Sequence, residues 1–442
     1  MKPETRESSP GGPLHVWHPF TQEALDPPPL HISRAAGVYL YTEDGRPILD
    51  AISSWWVNLH GHSHPHIARA IAEQASRMEH VIFAGFTHEP AERLAARLAV
   101  VAPEGLRHVF FSDDGSTAVE VAMKMALQHW RNLGERRTRF IALDHAYHGD
   151  TAGAMSAGAD SPFTAAFDSM RFPVERAHSA YCYRCPVGKK PESCSIECLD
   201  SMAAILEAHG HETAAVIVEP LLQGAGGMIM HPEAFLQGIR KLTRDHGVLL
   251  IADECLTGFG RTGSMFASEK AGVGPDIMCL SKGLTGGFLP LAATLATEEV
   301  YRSFCSSDPR RTFFHGHSYT GNPLACAAAI ASLEVFGSEP VFERIRTIGR
   351  IHRERLKAFR ACPGVGDART IGTVAAIELE TADAGYLSAM RPALYRFFID
   401  RGVLLRPLGN VIYVLPPYVI TPEELHGVYD LIAEAIEAVV AR

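Results

Sequence analysis

Two residues of opposite charge, each at the end of an apolar run, are the strongest candidates for chemistry. Asp253 follows the run in "VLLIADECLTGFGRTG", and Lys282 follows "DIMCLS" 29 residues later, directly before glycines. A lysine amine attacks a carbonyl carbon only in its unprotonated form, which partial burial beside other positive charge favours. A carboxylate in a poorly solvated site can hold a protonated ring nitrogen. The structural alternatives are a solvated loop lysine and an aspartate that pairs with Arg261.

A glycine and a serine stand where a predicted strand meets a predicted helix. In "FFSDDGSTAVEVAMKMALQHW", Gly115 and Ser116 precede residues with helical spacing. The free N–H groups and the positive dipole end of such a helix suit a phosphate. A simple helix cap is the alternative.

Aromatic residues and one arginine suggest how a flat or elongated ligand would be held. Tyr147 and His148 in "DHAYHGDT" follow a predicted strand, where a ring could stack on a flat ligand or lie in the core. Trp55 and Trp56 are adjacent, so they cannot both face one way along a strand, and at least one is expected to line a cavity. Arg406 lies in the apolar stretch "LLRPLGNVIYVLPP", where an arginine pairs with a carboxylate from the protein or from a substrate.

Two further patterns resemble metal sites, and we assign no metal to either. The motif "HGHSHPH" sets four histidines at alternate positions, which favours a hydrogen-bonded turn: His60, His62, His64 and His66. The stretch "CYRCPVGKKPESCSIEC" holds four cysteines that could close around a structural zinc or stay free thiols: Cys182, Cys185, Cys194 and Cys198. We interpret residues 180–199 as a Cys-rich insertion remote from the strand ends.

The elements that must position these residues alternate between helix-like and strand-like patterns. Short apolar runs with polar ends, such as "RFIALDHA", "AAVIVEP" and "VLLIADE", predict buried parallel strands in an α/β fold. Ligands bind beyond the carboxyl ends of such strands, which is where Asp113, Asp144, Glu219, Asp253 and Lys282 fall. We predict a large domain over 75–325 and a smaller α+β domain from both chain ends, 1–74 and 326–442.

The overall composition excludes some partners. The 442-residue chain has a formal net charge of -9, so it has no basic excess for nucleic acid or anionic lipid, and small molecules are the better partners. No apolar run is long enough to span a bilayer, and the start "MKPETRESSPGGP" has no signal-peptide pattern. We expect a cytoplasmic protein with reduced cysteines.

Six blocks in order resemble the class III (omega) aminotransferases of the pyridoxal-phosphate fold-type I enzymes. They are "DDGSTAVEVAMKMA", "DHAYHGDT", "VEPLLQGAGG", "ADECLTGFGRTG", "LSKGLTGGFLPLAAT" and "HGHSYTGNPLACAAA". The resemblance implies the cofactor pyridoxal 5'-phosphate and a homodimer with a shared site. It also implies catalytic roles for Lys282, Asp253 and Tyr147, and cofactor contacts from Gly115, Ser116, Tyr147, His148, Glu219, Asp253, Lys282 and, across the dimer, Ser318.

A subgroup of that family is suggested by "HPFTQ", "SSWWVNLHGH" and "LLRPLGNVIYVLPPY". The resemblance implies that 8-amino-7-oxononanoate is aminated in biotin biosynthesis, with S-adenosylmethionine or lysine as donor. It also implies a substrate pocket made by Phe20, Trp55, Trp56, Gly316 and Arg406. Phe20 replaces a tyrosine and His317 a proline that are usual there, which leaves the donor open. Two alternatives remain open. The chain could be another omega-amino-acid or diamine:2-oxoacid aminotransferase, or it could be a catalytically silent binding protein.

Overall fold

A seven-stranded sheet forms the centre of the protein. The structure, a computed structural model, describes residues 15–440, so the N-terminal stretch used above to argue against a signal peptide lies outside the described residues. The strand order is β4-β12-β11-β10-β7-β5-β6. All neighbours run parallel except β12, which is antiparallel to both β4 and β11. The predicted α/β class with a mostly parallel sheet is confirmed, although the sequence analysis did not predict β12.

The strands are β1 (Ile32–Ala36), β2 (Tyr39–Thr42), β3 (Pro47–Asp50), β4 (Leu106–Ser112), β5 (Arg139–Leu143), β6 (Glu175–Ala177), β7 (Thr213–Val218), β8 (Leu222–Gln223), β9 (Ile229–Met230), β10 (Leu249–Asp253), β11 (Ile277–Leu280), β12 (Ala292–Thr297), β13 (Val365–Ile371), β14 (Val374–Leu379), β15 (Val403–Leu404) and β16 (Val411–Val414).

The helices are α1 (Ser53–Trp56, a single left-handed turn), α2 (Pro65–Ala75), α3 (Glu89–Val101), α4 (Gly115–Asn132), α5 (Ala152–Ala157), α6 (Leu199–His209), α7 (Glu233–Asp245), α8 (Ala267–Lys270), α9 (Glu298–Arg302), α10 (Pro323–Ser338), α11 (Val341–Phe359), α12 (Met390–Asp400) and α13 (Pro422–Val440). Short 3₁₀ helices include Cys182–Arg184, Pro191–Ser193 and Lys282–Thr285.

Helices cover both faces of the central sheet, which explains the uninterrupted apolar runs. Along β7, Ala215 and Ile217 pack in a cluster with α4, whereas Val216 and Val218 pack in a cluster with α6 and α7. Successive residues of a strand face opposite sides, so both sides must be apolar when both are covered. This burial holds the strands rigidly and leaves their carboxyl ends free to carry polar residues.

One smaller sheet combines segments from both ends of the chain. The sheet β1-β2-β3-β15 joins strands near the N-terminus to β15, which runs parallel to β3. A second sheet, β13-β14-β16, is antiparallel. The proposed domain boundaries stay a prediction.

Within residues 15–440, no single helix combines the length and apolarity that a membrane span needs. Only the bent pair Pro323–Ser338 and Val341–Phe359 reaches them, and only when the two helices are taken together.

Candidate active site

Asp253 and Lys282 lie at one edge of the central sheet. Strands β10 and β11 are parallel neighbours with Asp253 opposite Cys279, and Lys282 comes two residues after the end of β11. Both side chains line one cavity of about 710 Å³. The same cavity is lined by most of the other predicted site residues: Phe20, Trp55, Trp56, Gly115, Ser116, Tyr147, His148 and Arg406.

The Asp253 carboxylate is buried and held in its ionised form. Burial raises its pKa, but His148 and the positive charge of Lys282 outweigh that effect, so the pKa is lowered from its ordinary value. His148 Nδ1 lies 2.8 Å from Asp253 Oδ2, and the Cys255 N–H donates to Oδ1 at 3.1 Å. A buried negative charge that faces a cavity suits a protonated ring nitrogen, so this group fits pyridoxal phosphate.

Lys282 is held in a strained backbone conformation with its amine unengaged. Its φ is 45°, in the left-handed region that residues other than glycine seldom adopt. Among the described residues, no hydrogen bond or ion pair engages Nζ, which lies 5.7 Å from the centroid of the Trp56 ring. Strained residues of this kind cluster at active sites, and an unengaged amine in a cavity is what covalent attachment to an aldehyde requires.

The N-terminus of α4 forms a second wall of the cavity. Asp114 is the N-cap and accepts from the Thr117 N–H at 2.8 Å, which leaves the first N–H groups of the helix, at Gly115 and Ser116, at the cavity. Gly149 approaches this wall with φ of 127°, and an added Cβ there would come within 2.4 Å of Ser116 Oγ. The 18-residue helix thus presents a positive dipole end suited to a phosphate.

Glu219 lies behind the cavity rather than in its lining. Its two carboxylate oxygens accept from the Tyr147 N–H at 3.0 Å and the Gly224 N–H at 2.9 Å. Burial is the largest influence on its pKa and raises it to about 7. The negative charge of Asp253 raises the pKa further, and the charge of His148 lowers it. Glu219 therefore supports the segments that carry Tyr147, and it titrates near neutrality.

The tryptophan pair forms the opposite wall. Trp55 and Trp56 are the last two residues of α1 (Ser53–Trp56), which we call the Trp turn. All four residues of this turn have positive φ. Each left-handed residue other than glycine costs roughly 1–2 kcal/mol. Trp56 is buried and its Nε1 donates to the Tyr413 hydroxyl at 3.1 Å, whereas Trp55 is 38% exposed. Both rings line the cavity, so the expectation that at least one would do so is met.

The Arg406 guanidinium contacts an aromatic ring and a backbone carbonyl rather than a carboxylate. Its Cζ lies 4.8 Å from the centroid of the Trp55 ring, and Nη2 donates to the Phe20 carbonyl at 3.3 Å. Within the described chain, no carboxylate lies within ion-pair distance of this guanidinium. The alternative of an internal ion pair is therefore not what the structure shows, and the cation is available to a ligand.

The cavity also contains residues that the sequence analysis did not single out. Phe163 contacts Phe20, Tyr147 and Tyr386, with ring centroids 5.8, 5.9 and 4.6 Å away. Asp150 also lines the cavity, where burial and then the charge of Asp150 raise the pKa of the Tyr147 hydroxyl. Phe163 and Tyr386 lie in irregular segments without a repeating pattern, so no sequence signal marks them. Asp150, inside the quoted block "DHAYHGDT", could have been found there.

Besides Glu219, two predicted site residues of this chain, Gly316 and Ser318, lie outside the cavity lining. Both are exposed. This placement agrees with a contact made across a dimer and leaves that contact a prediction.

The side chains of the two metal-like patterns have partners other than a metal or are free thiols. The absence of carboxylates near "HGHSHPH" in sequence is misleading, because distant parts of the chain supply them: His62 pairs with Asp50, His64 with Glu339 and His66 with Glu334, each at 2.9 Å. The four clustered cysteines are free thiols. Across residues 15–440, no three His, Cys, Asp or Glu side chains form a group that could hold a metal ion.

Comparison with known proteins gives the family. The model of the aminotransferase class-III family matches residues 20–436. The chain belongs to the class III aminotransferases. A protein of Synechococcus elongatus named adenosylmethionine-8-amino-7-oxononanoate aminotransferase is 50% identical to it over 96% of this chain and 99% of the relative. The relative of the same name from Geobacter sulfurreducens is 45% identical, with 96% of each chain covered.

Solved structures of two transaminases have the same fold as this chain. The crystal structure of adenosylmethionine-8-amino-7-oxononanoate aminotransferase from Methanocaldococcus jannaschii superimposes with a TM-score of 0.89 at 38% identity, over 96% of this chain and 97% of the other. A PLP-bound amine transaminase from an uncultivated Pseudomonas species has a TM-score of 0.91 at 32% identity, over 97% and 99%. The predicted PLP-dependent aminotransferase of fold-type I is confirmed.

Proposed function

We propose that this class III aminotransferase converts 8-amino-7-oxononanoate to 7,8-diaminononanoate in biotin biosynthesis, with S-adenosylmethionine as the amino donor and lysine as the alternative donor. Relatives that carry this name match nearly the whole chain at 36–50% identity. The proposal extends their named substrates to this protein.

The observation that carries the proposal is the placement of one basic side chain against each ring of the tryptophan pair. Lys282 Nζ faces the Trp56 ring, and Arg406 Cζ faces the Trp55 ring. A long aliphatic substrate with a ketone near one end and a carboxylate at the other would place its reacting carbon near Lys282 and its carboxylate at Arg406. The rings between them would cover the apolar chain, which benefits from removal from water.

The chain's own residues can then be given roles. When bound, pyridoxal phosphate supplies an electron sink that stabilises the carbanion formed at the amine-bearing carbon. Lys282 would remove the proton from that carbon of the donor, and in the second half of the cycle it would return a proton to the substrate carbon. Asp253, buttressed by His148, would keep its negative charge against the cofactor ring. Gly115 and Ser116 would bind the phosphate, and Tyr147 would stack on the ring.

The experiment is a donor competition with purified holoenzyme. Borohydride reduction followed by mass spectrometry should find the pyridoxyl modification on Lys282. This test of the site of cofactor attachment does not depend on which substrates the enzyme uses. The unreduced enzyme is then supplied with 8-amino-7-oxononanoate and either S-adenosylmethionine or lysine, and 7,8-diaminononanoate is measured.

Two results would count against the proposal in different ways. Product from neither donor, together with turnover of a diamine or an omega-amino acid with pyruvate or 2-oxoglutarate, would assign the chain to another class III activity. Modification at a lysine other than Lys282 would overturn the assignment of the active site itself.

We also propose a homodimer in which the partner completes the phosphate site through Ser318. Apolar side chains of two adjacent segments are exposed: Ile82 and Phe86 in one, Phe314 and Tyr319 in the other. The segments touch, since the His80 and Tyr319 rings are 5.4 Å apart and Asn322 Nδ2 donates to the Glu79 carbonyl at 3.2 Å. An exposed apolar patch beside predicted site residues favours an interface with a second copy.

Subunit mixing tests the shared site. Variants K282A and S318D are each expected to be inactive, while co-refolded mixtures would form heterodimers with one intact site. Random pairing then restores about one quarter of wild-type activity. A mixture as inactive as its components, with heterodimers confirmed by mass, would overturn the shared site, and a monomer by light scattering would overturn the dimer.

We propose a cytoplasmic location, which the free-thiol state of all nine cysteines supports.

A further inference from the structure

The Trp turn is an unusual piece of backbone for a substrate wall. Its four residues, Ser53, Ser54, Trp55 and Trp56, have φ values of 53°, 44°, 71° and 77°, and none is glycine. Such a run persists only where the surroundings determine it. The contacts that hold the turn therefore decide where the two indole rings stand.

Asp50 holds the beginning of the turn. It is the last residue of β3, it is fully buried, and its carboxylate accepts from the Ile52 N–H at 3.2 Å and the Ser54 hydroxyl at 2.8 Å. Within the described residues no lysine or arginine pairs with this carboxylate. Its remaining partner is His62, whose Nε2 lies 2.9 Å from Asp50 Oδ2.

His62 connects the turn to the neighbouring sheet. Its backbone exchanges two hydrogen bonds with Gly37, at 2.7 and 3.2 Å, between β1 and β2. Its other ring nitrogen, Nδ1, lies 3.3 Å from Asn58 Nδ2, just beyond the turn. His62 thus contacts both the buried carboxylate and the chain that leaves the tryptophans, and it is itself anchored by a sheet.

We propose that Asp50 and His62 form one positioning unit for the substrate wall, so that the second histidine of "HGHSHPH" serves substrate recognition. Neither residue lines the cavity. They act through Trp55 and Trp56, by holding the left-handed turn in the single arrangement that places both rings between Lys282 and Arg406. This inference rests on the proposed substrate, because it concerns how a long aliphatic chain is covered.

The experiment compares D50N, H62A and H62Q with the double variant D50N/H62A, all as holoenzymes. We expect H62A and D50N each to raise KM for 8-amino-7-oxononanoate about tenfold and to change kcat less than about threefold, because uniform binding is lost and the reacting groups are untouched. The double variant should be no worse than either single variant, since residues of one unit are not additive. H62Q, whose amide can donate to Asp50, should recover most of the loss.

His66 provides a matched control from the same motif. It also pairs with a carboxylate at 2.9 Å, Glu334, but it lies on α2 and does not contact the Trp turn. H66A should therefore leave KM unchanged. An unchanged KM in H62A, additive effects in the double variant, or an equal rise in H66A would each overturn the unit.

Hydrogen exchange separates this proposal from the proposed function. In the substrate-free holoenzyme, amides of residues 51–58 should exchange faster in H62A than in the wild type, while those of β10 stay unchanged. If the wild type does not turn over 8-amino-7-oxononanoate, the proposed function fails but the exchange result still tests the unit. Equal exchange of residues 51–58 in H62A and wild type would refute it. H62A also serves if D50N does not fold.

Discussion

The two walls of the active site are built in opposite ways. On the cofactor side, Asp253 ends a fully buried strand and Gly115 begins a long capped helix, so regular elements place the functional groups. On the substrate side, the Trp turn and Arg406 lie on irregular segments from the two ends of the chain. The cofactor wall is specified by local rules, and the substrate wall by contacts between distant residues.

This difference separates the general chemistry from the specificity. A sheet edge with an acid, a lysine and a helix dipole can serve any substrate that the cofactor can activate, because it touches only the cofactor and the reacting carbon. In the proposed function, the irregular wall would contact the rest of the substrate, and irregular segments tolerate change better than buried strands do. Damage to the first wall should therefore reduce turnover for all substrates, and damage to the second should act mainly on KM.

The largest effect is expected from K282A. Removing the amine would eliminate both roles proposed for Lys282, cofactor attachment and proton transfer, so kcat should fall by at least about 10³-fold. The fold should persist, because within the described residues Nζ makes no hydrogen bond or ion pair. Steady-state assays with circular dichroism measure both. Retained turnover would remove the main support for the cofactor wall.

A smaller loss is expected from D253N. The neutral amide cannot balance a protonated ring nitrogen, and kcat should fall by about 10²–10³-fold with every substrate tried. The absorbance of the bound cofactor should also change with pH differently from the wild type. If only the turnover of 8-amino-7-oxononanoate were reduced, Asp253 would act on the substrate rather than on the cofactor, contrary to its place in the cofactor wall.

R406M should mainly affect one substrate. Loss of a charge-assisted hydrogen bond to a carboxylate should raise KM for 8-amino-7-oxononanoate by about 10–100-fold and leave kcat nearly intact. The matched control is R401M: Arg401 is an exposed arginine nearby whose Nη1 donates to the Phe397 carbonyl. Equal behaviour of the two variants would contradict the role of Arg406.

The smallest effect concerns Glu219 and pH. Its pKa in the folded protein is raised to about 7. Between the ordinary carboxyl pKa and pH 7, the folded apoenzyme therefore holds a proton that the unfolded chain has lost, and its free energy of unfolding falls as the pH rises through this range. E219Q lacks this titration, so its melting temperature relative to the wild type should increase between pH 5 and pH 8. The exposed E207Q should show no such trend. A flat difference for E219Q would show that Glu219 does not titrate in this window.

The sequence by itself determined the elements of the cofactor wall. The runs that end at Asp253 and before Lys282 are strands, and the residues after Asp114 form a helix, because burial on both faces and helix capping are local requirements. Their meeting at one edge follows from the direction of parallel strands. The family resemblance added the cofactor and the reaction.

Only the tertiary structure decided how the residues of the substrate wall are held. Trp56 meets Tyr413, 357 residues away, and the carboxylate beside His62 comes from a strand rather than from its own motif. Phe163 and Tyr386 join the cavity from segments without a repeating pattern, and β12 runs antiparallel within an otherwise parallel sheet. These features depend on which distant segments the topology brings together, and no local pattern of residue types encodes that choice.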